Sequence, residues 1–518
     1  MKKLEILFLT SLLSTCLIAQ ESKLSGIAET ITIAELRDHV FYLGGDELEG
    51  RQSGGPGFEK ALQYVVTQLR QAGLSPFCKA TDSILSYYQD IMIYKYSPSS
   101  GNRVTVIKNA NEHTFSFKDN FIIVYDGPNE TKEFSGGLAF VGAGIKEPDC
   151  GFDDYKNINI KGKWAVVLAL GGDLPAEIEK KLPLEILKKY TSSVREKQKI
   201  IIQNAKDAGA IGIINVPLNY ELNTWKIIAG LNQDYFTLPG IGQIYRDSLL
   251  PVLRIDSSMV DYLFKGEKYN PLTNKEPYKT FIFRNSELRF QKEFNLSTIP
   301  TANVIALIEG SDPVFKSEFI ILGAHLDHLG IRNGIIMNGA DDNASGSAGV
   351  LEIAEALVKS KPKRSVICVL YTGEELGLLG SYYFTENPPV LLKDIIANIN
   401  IDMTGCLNND VKGLAPMGAS GVTLKLKEII LKVGEKNQDI SLDWAYAEAN
   451  PSVISESDNY SFQLKKIPAV SFYTGFNSDY HKPSDDAEKI DYEILQKSCK
   501  LVYQIILELA NGNVSLRD

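Results

Sequence analysis

Apolar positions along the chain change their spacing twice, and each regime predicts a different kind of structure. Near the start the spacing is helical. Thr32-Ile33-Ala34-Glu35 has the form of a capping box, in which the two side chains satisfy free backbone N–H groups, and it predicts a helix to about Leu43. Gly55-Pro56-Gly57 opens a second helix, with Phe58, Ala61, Leu62, Val65, Val66 and Leu69 on one face and Gly73 ending it. From about Ile84 to Tyr125 aromatic and β-branched residues predict strands. Between roughly 125 and 285 the runs are short and punctuated by glycine. Residues 138–142, 164–168 and 212–216 read as strands and 199–208 as a helix.

From Ala302 onward near-continuous apolar runs (303–308, 319–323, 365–371, 396–401 and 469–473) alternate with amphipathic helices. Ser345 is placed to cap one helix, whose Val350, Leu351, Ala354, Leu357 and Val358 share a face; another runs from Tyr492 to Leu509. Strands apolar on both faces need cover on both sides, so this region is α/β: a mostly parallel central sheet sandwiched by helices. Ligands of such sheets bind beyond the carboxyl ends of the strands.

Chemistry-bearing residues stand at those ends. The run 319–323 leads into His325-Leu326-Asp327-His328, 365–371 into Glu374-Glu375, 396–401 into Asp402, and 469–473 into Asp479-Tyr480-His481; Asp341-Asp342 precede the Ser345 helix. Taken singly, a paired aspartate is usually a solvated turn and a lone histidine a structural residue. Converging at one sheet edge, these carboxylates would repel each other unless cations neutralised them. Imidazole and carboxylate donors together suit zinc, and also cobalt or manganese. Three of the chain's 5 histidines fall in these segments, which raises the weight of the metal reading over the structural one.

Composition narrows the field. At 518 residues the chain exceeds a single core, so more than one domain is expected. A formal net charge of −10 argues against nucleic-acid binding, because phosphates would be repelled. Lys2 and Lys3 followed by the mostly apolar 7–19 read as a signal peptide over 1–19 and predict export: to the periplasm, to the medium, or to an outer surface. Leu13-Ser14-Thr15-Cys16 resembles a bacterial lipobox, with Thr unusual before the cysteine, so a lipid anchor at Cys16 is the alternative processing. No later run is long and apolar enough for a transmembrane span. The 6 cysteines have no CxxC pairing and read mainly as buried thiols, with a single disulfide as the alternative.

With these residues in view, the chain resembles the M28 family of zinc peptidases. The segments GAHLDHLG, NGADDNASGSAGVLE, YTGEELGLLGS, NINIDMTG, SESDNYSF and DYHKPSDDAEKID stand in that family's order, and LEGRQSGGPG suits its N-terminal region. The stretch 125–285 resembles an inserted protease-associated domain through GLAFVGAGI, DDYKNINIKGKWAVVL and AKDAGAIGIINV, leaving 25–124 and 286–518 as the peptidase domain. The resemblance implies two zinc ions, one held by His325, Asp342 and Asp402 and the other by Asp342, Glu375 and His481. It further implies Glu374 as general base, Asp327 orienting His325, Asp485 doing the same for His481, and a cis peptide after Asp342. Two metals about 3.5–4 Å apart can activate a water for attack on a scissile carbonyl, and Tyr480 is a candidate donor to the developing oxyanion or a ring packed beside His481. His328 reads as structural or as a support for the ligands. Asn459 departs from relatives with histidine at that place.

The implied activity is removal of N-terminal residues from peptides. Alternatives on the same scaffold are a carboxypeptidase, which needs a basic cluster for the substrate carboxylate, a one-metal glutaminyl cyclase, and a noncatalytic receptor-like ectodomain. The complete ligand set speaks against the last two. Side-chain preference, governed by loops 413–421 and 443–457, and oligomeric state are not legible.

Overall fold

A computed structural model describes residues 26–518 apart from 80–83, 126–132, 169, 171–173, 192–193, 217–224, 226–227, 231–233, 240–249, 274–276, 419–421, 438, 450–456, 513–515 and 517–518. The signal-peptide and Cys16 readings, and parts of both specificity loops, lie outside the described residues. Contacts divide the chain into two compact units, Met1–Ile93 with Ile299–Asp518, and Tyr94–Thr298.

In the first unit, α1 (Ile33–Leu43) begins at Thr32, whose hydroxyl accepts from Glu35 N at 3.2 Å and donates to the Glu35 carboxylate at 2.7 Å. The second helix, α2 (Pro56–Gln71), buries the apolar face read from its spacing. The sheet is built from β1 (Tyr88–Pro98), β2 (Phe294–Ile308), β3 (Phe319–His325), β4 (Ser365–Tyr371), β5 (Ile395–Ile401), β6 (Ala415–Met417) and β7 (Ala469–Tyr473), in the order β1-β2-β4-β3-β5-β7-β6. Strands β4, β3, β5 and β7 are parallel, whereas β2 and β6 pair antiparallel at the flanks. The apolar run after Ala302 is thus the end of a longer antiparallel strand.

Residues alternate between two apolar layers, the reason the strands read as continuous hydrophobic runs. Val304, Ile320, Leu322, Cys368, Leu370, Ile399 and Phe472 face a core shared with α1, α2, α3 (Gly346–Ser360), α5 (Leu424–Lys436) and α7 (Tyr492–Asn511). Ile305, Ile321, Ile367, Val369, Tyr371 and Ala469 face the other side, beneath Phe384 of α4 (Leu379–Glu386) and Phe462 of α6 (Asn459–Leu464).

The second unit has its own sheet and two cores of its own. Its strands Glu133–Phe140, Lys163–Leu168, Gly212–Val216 and Val252–Ile255 form parallel neighbours, with helix Val194–Asp207 preceding Gly212–Val216. This unit is wider than the stretch 125–285. Phe281–Gln291 pairs with Arg103–Lys108, which pairs with Asn111–Ser116, so strands from before and after that stretch belong to the same sheet. Among the described residues all five cysteines are free, and no helix is long and apolar enough to cross a membrane.

Candidate metal centre

Level strand ends gather the polar residues. His325, last in β3, pairs with Tyr371, last in β4, so the two strands stop together and release the segments bearing Asp327, His328, Glu374 and Glu375. Asp402 follows β5, its N–H donating to Phe472 O of β7 at 3.0 Å. Asp341 and Asp342 come from the turn Ala340–Ser345 ahead of α3. Gly339 enters that turn with φ 60°, and a Cβ there would lie 2.1 Å from the Asp342 carbonyl and 2.4 Å from the His328 ring, so the close approach requires glycine. The Asp342–Asn343 peptide is cis. Ser345 does not cap α3: its own φ and ψ are helical (−60°, −50°), so its hydroxyl turns back to Asp341 O at 2.7 Å. Gly346 N donates instead to Asn343 Oδ1 at 2.9 Å.

Two donor sets result. His325 Nε2 lies 3.3 Å from Asp342 Oδ1 and 3.3 Å from Asp402 Oδ1. His481 Nε2 lies 3.1 Å from Asp342 Oδ2 and 3.4 Å from Glu375 Oε1. Donors on one tetrahedral zinc, with bonds of about 2.0–2.1 Å, stand roughly 3.3 Å apart, so both sets have ligand spacing and Asp342 belongs to both. His328 joins the second set in a way the sequence reading missed: its Nδ1 is 2.9 Å from Glu375 Oε1 and 3.7 Å from Asp342 Oδ2. Those two distances straddle the tetrahedral spacing less evenly than the pair from His481. The HxDH spacing was the available signal.

The residues fit a divalent cation on a further observation. Asp342 Oδ2, Glu375 Oε1 and both His328 nitrogens are buried without an aligned hydrogen-bond partner, which is costly unless an ion lies among them. The charge balance agrees. Burial opposes the charged form of His325, but Asp402, Glu374 and Asp342 outweigh it and hold its pKa well above the ordinary value. Burial and Asp342 would raise the Glu375 pKa, yet His328 and His481 bring it down to about 2. Glu374 goes the other way: burial, with Glu375, Asp458 and Asp402 adding to it, pushes its carboxyl well above the usual range despite His325. Asp342 goes the way of Glu375: burial would raise its pKa, but His328, His325 and His481 hold it well below the usual carboxylate range.

The supporting residues depart from the expected pattern in two places, Asp327 and Asp485. Asp327 faces His325 Nδ1 with its backbone carbonyl (3.0 Å), while its carboxylate accepts from Glu374 N at 3.1 Å. Asp485 has no contact with His481 among those observed; its two oxygens accept from Asp341 N (2.9 Å) and Asp342 N (3.1 Å) and so hold the backbone of the residue common to both donor sets. Asp341 is spent on the fold, accepting from Gly405 N at 2.8 Å and Asn477 Nδ2 at 2.7 Å. Tyr480 stacks on the His481 ring, centroids 3.8 Å apart, and lines the cleft together with Glu374.

Ser457, unassigned from the sequence, donates to Asp402 Oδ2 at 2.6 Å and is itself held by Asn400 Nδ2 at 2.9 Å. It turns the other Asp402 oxygen toward His325. Ser457→Ala is expected to weaken cation binding at the His325 site by roughly 10–100-fold while leaving the fold intact, as loss of a ligand's outer partner commonly does. Competition against a chromogenic chelator measures it; unchanged affinity at both sites would remove Ser457 from this role.

Residues 303–506 match the model of Peptidase family M28. This segment belongs to that family. Over 211 residues the chain is 29% identical to a probable leucine aminopeptidase of Arthroderma otae, covering 38% of this chain and 56% of that protein. It is 28% identical over 216 residues to an aminopeptidase of Pseudomonas aeruginosa, covering 38% and 39%. The chain thus spans about half the length or less of these curated relatives. An aminopeptidase from Aneurinibacillus sp. strain AM-1 shares the fold, with a TM-score of 0.57 at 18% identity over 95% of this chain and 97% of that one. The M28 segment contains every residue of the two donor sets.

Proposed function

We propose that this chain is an exported zinc aminopeptidase in which His325, Asp342 and Asp402 would hold one metal ion and Asp342, Glu375 and His481 a second. When bound there, the ions would supply Lewis acidity and lower the pKa of a nucleophilic water. Glu374 lines the same cleft but belongs to neither donor set, so it is free to take the water's proton and pass it to the leaving amine. Its backbone is fixed by Asp327, and the place of Tyr480 in the lining of the same cleft supports it as a donor to a developing oxyanion.

The lining of the cleft carries the choice of aminopeptidase. Its described residues are His325, Asp342, Glu374, Asp402, Met403, Met417, Tyr473, Phe476, Tyr480 and His481, with no lysine or arginine among them. Such a lining supplies carboxylates to face a substrate's protonated amine and no basic side chain to pair with a free carboxylate. The relatives' names point the same way. Export rests on the signal-like residues 1–19, and the parallel strands of the second unit support its reading as a protease-associated insertion. A panel of one peptide, free, N-acetylated or C-amidated, tests the activity on protein of verified zinc content. Cleavage is expected for the free and amidated forms and abolished by acetylation. Cleavage that survives acetylation but not amidation would establish a carboxypeptidase instead.

A further inference from the structure

Of the motifs singled out in the sequence, LEGRQSGGPG donates no metal ligand, yet Ser53 from it lies beneath the base. We propose that Ser53 is a positioning residue for Glu374, an inference that rests on the general-base reading of that glutamate. Three successive backbone N–H groups lead up to the base, and each is taken by a side chain. Thr372 N donates to Asn303 Oδ1 at 3.0 Å, Gly373 N to Ser53 Oγ at 2.8 Å, and Glu374 N to Asp327 Oδ1 at 3.1 Å. Ser53 is the junction of this set. Its oxygen also accepts from Thr372 Oγ1 at 3.0 Å, so both lone pairs are occupied and its own proton faces the Asp327 carboxylate.

No ladder holds this stretch, because β4 has ended at Tyr371 and α4 begins at Leu379. The N–H groups before Glu374 are therefore set by residues from three distant parts of the chain. Ser53 is 4% exposed, so water cannot take over its bonds without entering the interior. Removing the hydroxyl leaves a buried Gly373 N–H without its acceptor and frees Asp327 to turn away from Glu374. A base displaced by about 1 Å can lose on the order of 10²-fold in rate.

The test uses the full chain loaded with zinc. Ser53→Ala is expected to lower kcat by roughly 10–100-fold, with KM within about 3-fold and zinc content unchanged. Ser53→Thr, which keeps the hydroxyl, should recover most of that loss. Combined with Glu374→Gln, Ser53→Ala should cost nothing further, since a residue acting through the base has no effect once the base is gone. Amide exchange over 372–375 should quicken in Ser53→Ala whether or not a substrate has been found. Losses that multiply in the double variant, or unchanged exchange over 372–375, overturn the inference. Were the wild-type protein inactive on every aminoacyl substrate, the functional reading would fall, while exchange would still decide whether Ser53 holds this segment. If Ser53→Ala does not fold, the nearly isosteric Ser53→Cys, a weak acceptor, is expected to show the same pattern.

Discussion

Glu374→Gln is expected to reduce kcat on aminoacyl substrates by about 10²–10⁴-fold, the usual worth of a positioned general base, with KM nearly unchanged and zinc content intact. The substitution is close to isosteric and keeps the backbone N–H that binds Asp327, so the turn before α4 is preserved. What it removes is, among the described lining residues, the carboxyl that serves neither donor set. Its neighbour cannot substitute: Glu375 is drawn toward His328 and His481, which bring its pKa down to about 2 and leave it a poor proton acceptor. The loss corresponds to about 3–5 kcal/mol of transition-state stabilisation. Steady-state kinetics beside metal analysis checks it. Retention of more than a tenth of the activity at full zinc occupancy would refute the base assignment, and parallel loss of zinc would make Glu374 a ligand.

The opposite fates of Glu374 and Glu375 show why this half of the site was legible beforehand. Of the proposed ligands, His325, Glu375 and Asp402 stand at or just past the end of an apolar strand, a place where side chains of a parallel sheet converge, whereas Asp342 comes from the turn before α3 and His481 from the loop after β7. His325 and Tyr371 are paired residues, so the positions that follow them arrive together. The supporting residues were hidden because their partners lie far along the chain. Ser53 bonds Gly373 and Asp485 bonds Asp341 and Asp342, pairings no local pattern announces. Ser345 misled for a related reason: serine three residues after Asp342 resembles a cap, but backbone already helical at Ser345 passes that task to Asn343. The pairing of the strands of 103–116 with Phe281–Gln291 was hidden for the same reason, since the partners lie far apart along the chain.

Arg51→Met is expected to lower stability by about 3–5 kcal/mol, the range seen when a buried charged group is stripped of its network. Arg51 is 1% exposed, and its guanidinium donates to four backbone carbonyls: Leu326 at 2.9 Å, Asn338 at 2.7 Å, Gly339 at 2.8 Å, and Leu43. Three of them lie near the two ends of the segment that runs from His325 to Asp342, so the side chain ties those ends together. Burial lowers the Arg51 pKa to about 10 against the pull of Asp342, Asp485, Asp327 and Glu375, which leaves it charged at neutral pH. Methionine fills similar volume but leaves the Leu43, Leu326 and Asn338 carbonyls without this donor, at about 1–3 kcal/mol for each that water does not reach, while Gly339 O keeps its bond from Ala344 N at 3.2 Å. It also removes a cation that those four carboxylates share. Lysine restores charge but not the fork that spans the carbonyls, so Arg51→Lys should recover only part of the loss. Melting should fall by roughly 10 °C, and zinc should bind more weakly because the loop carrying Asp342 must now be ordered by the metal itself. A melting temperature within about 2 °C of wild type would mean that the loop is held by its glycine turn and Asp485 alone.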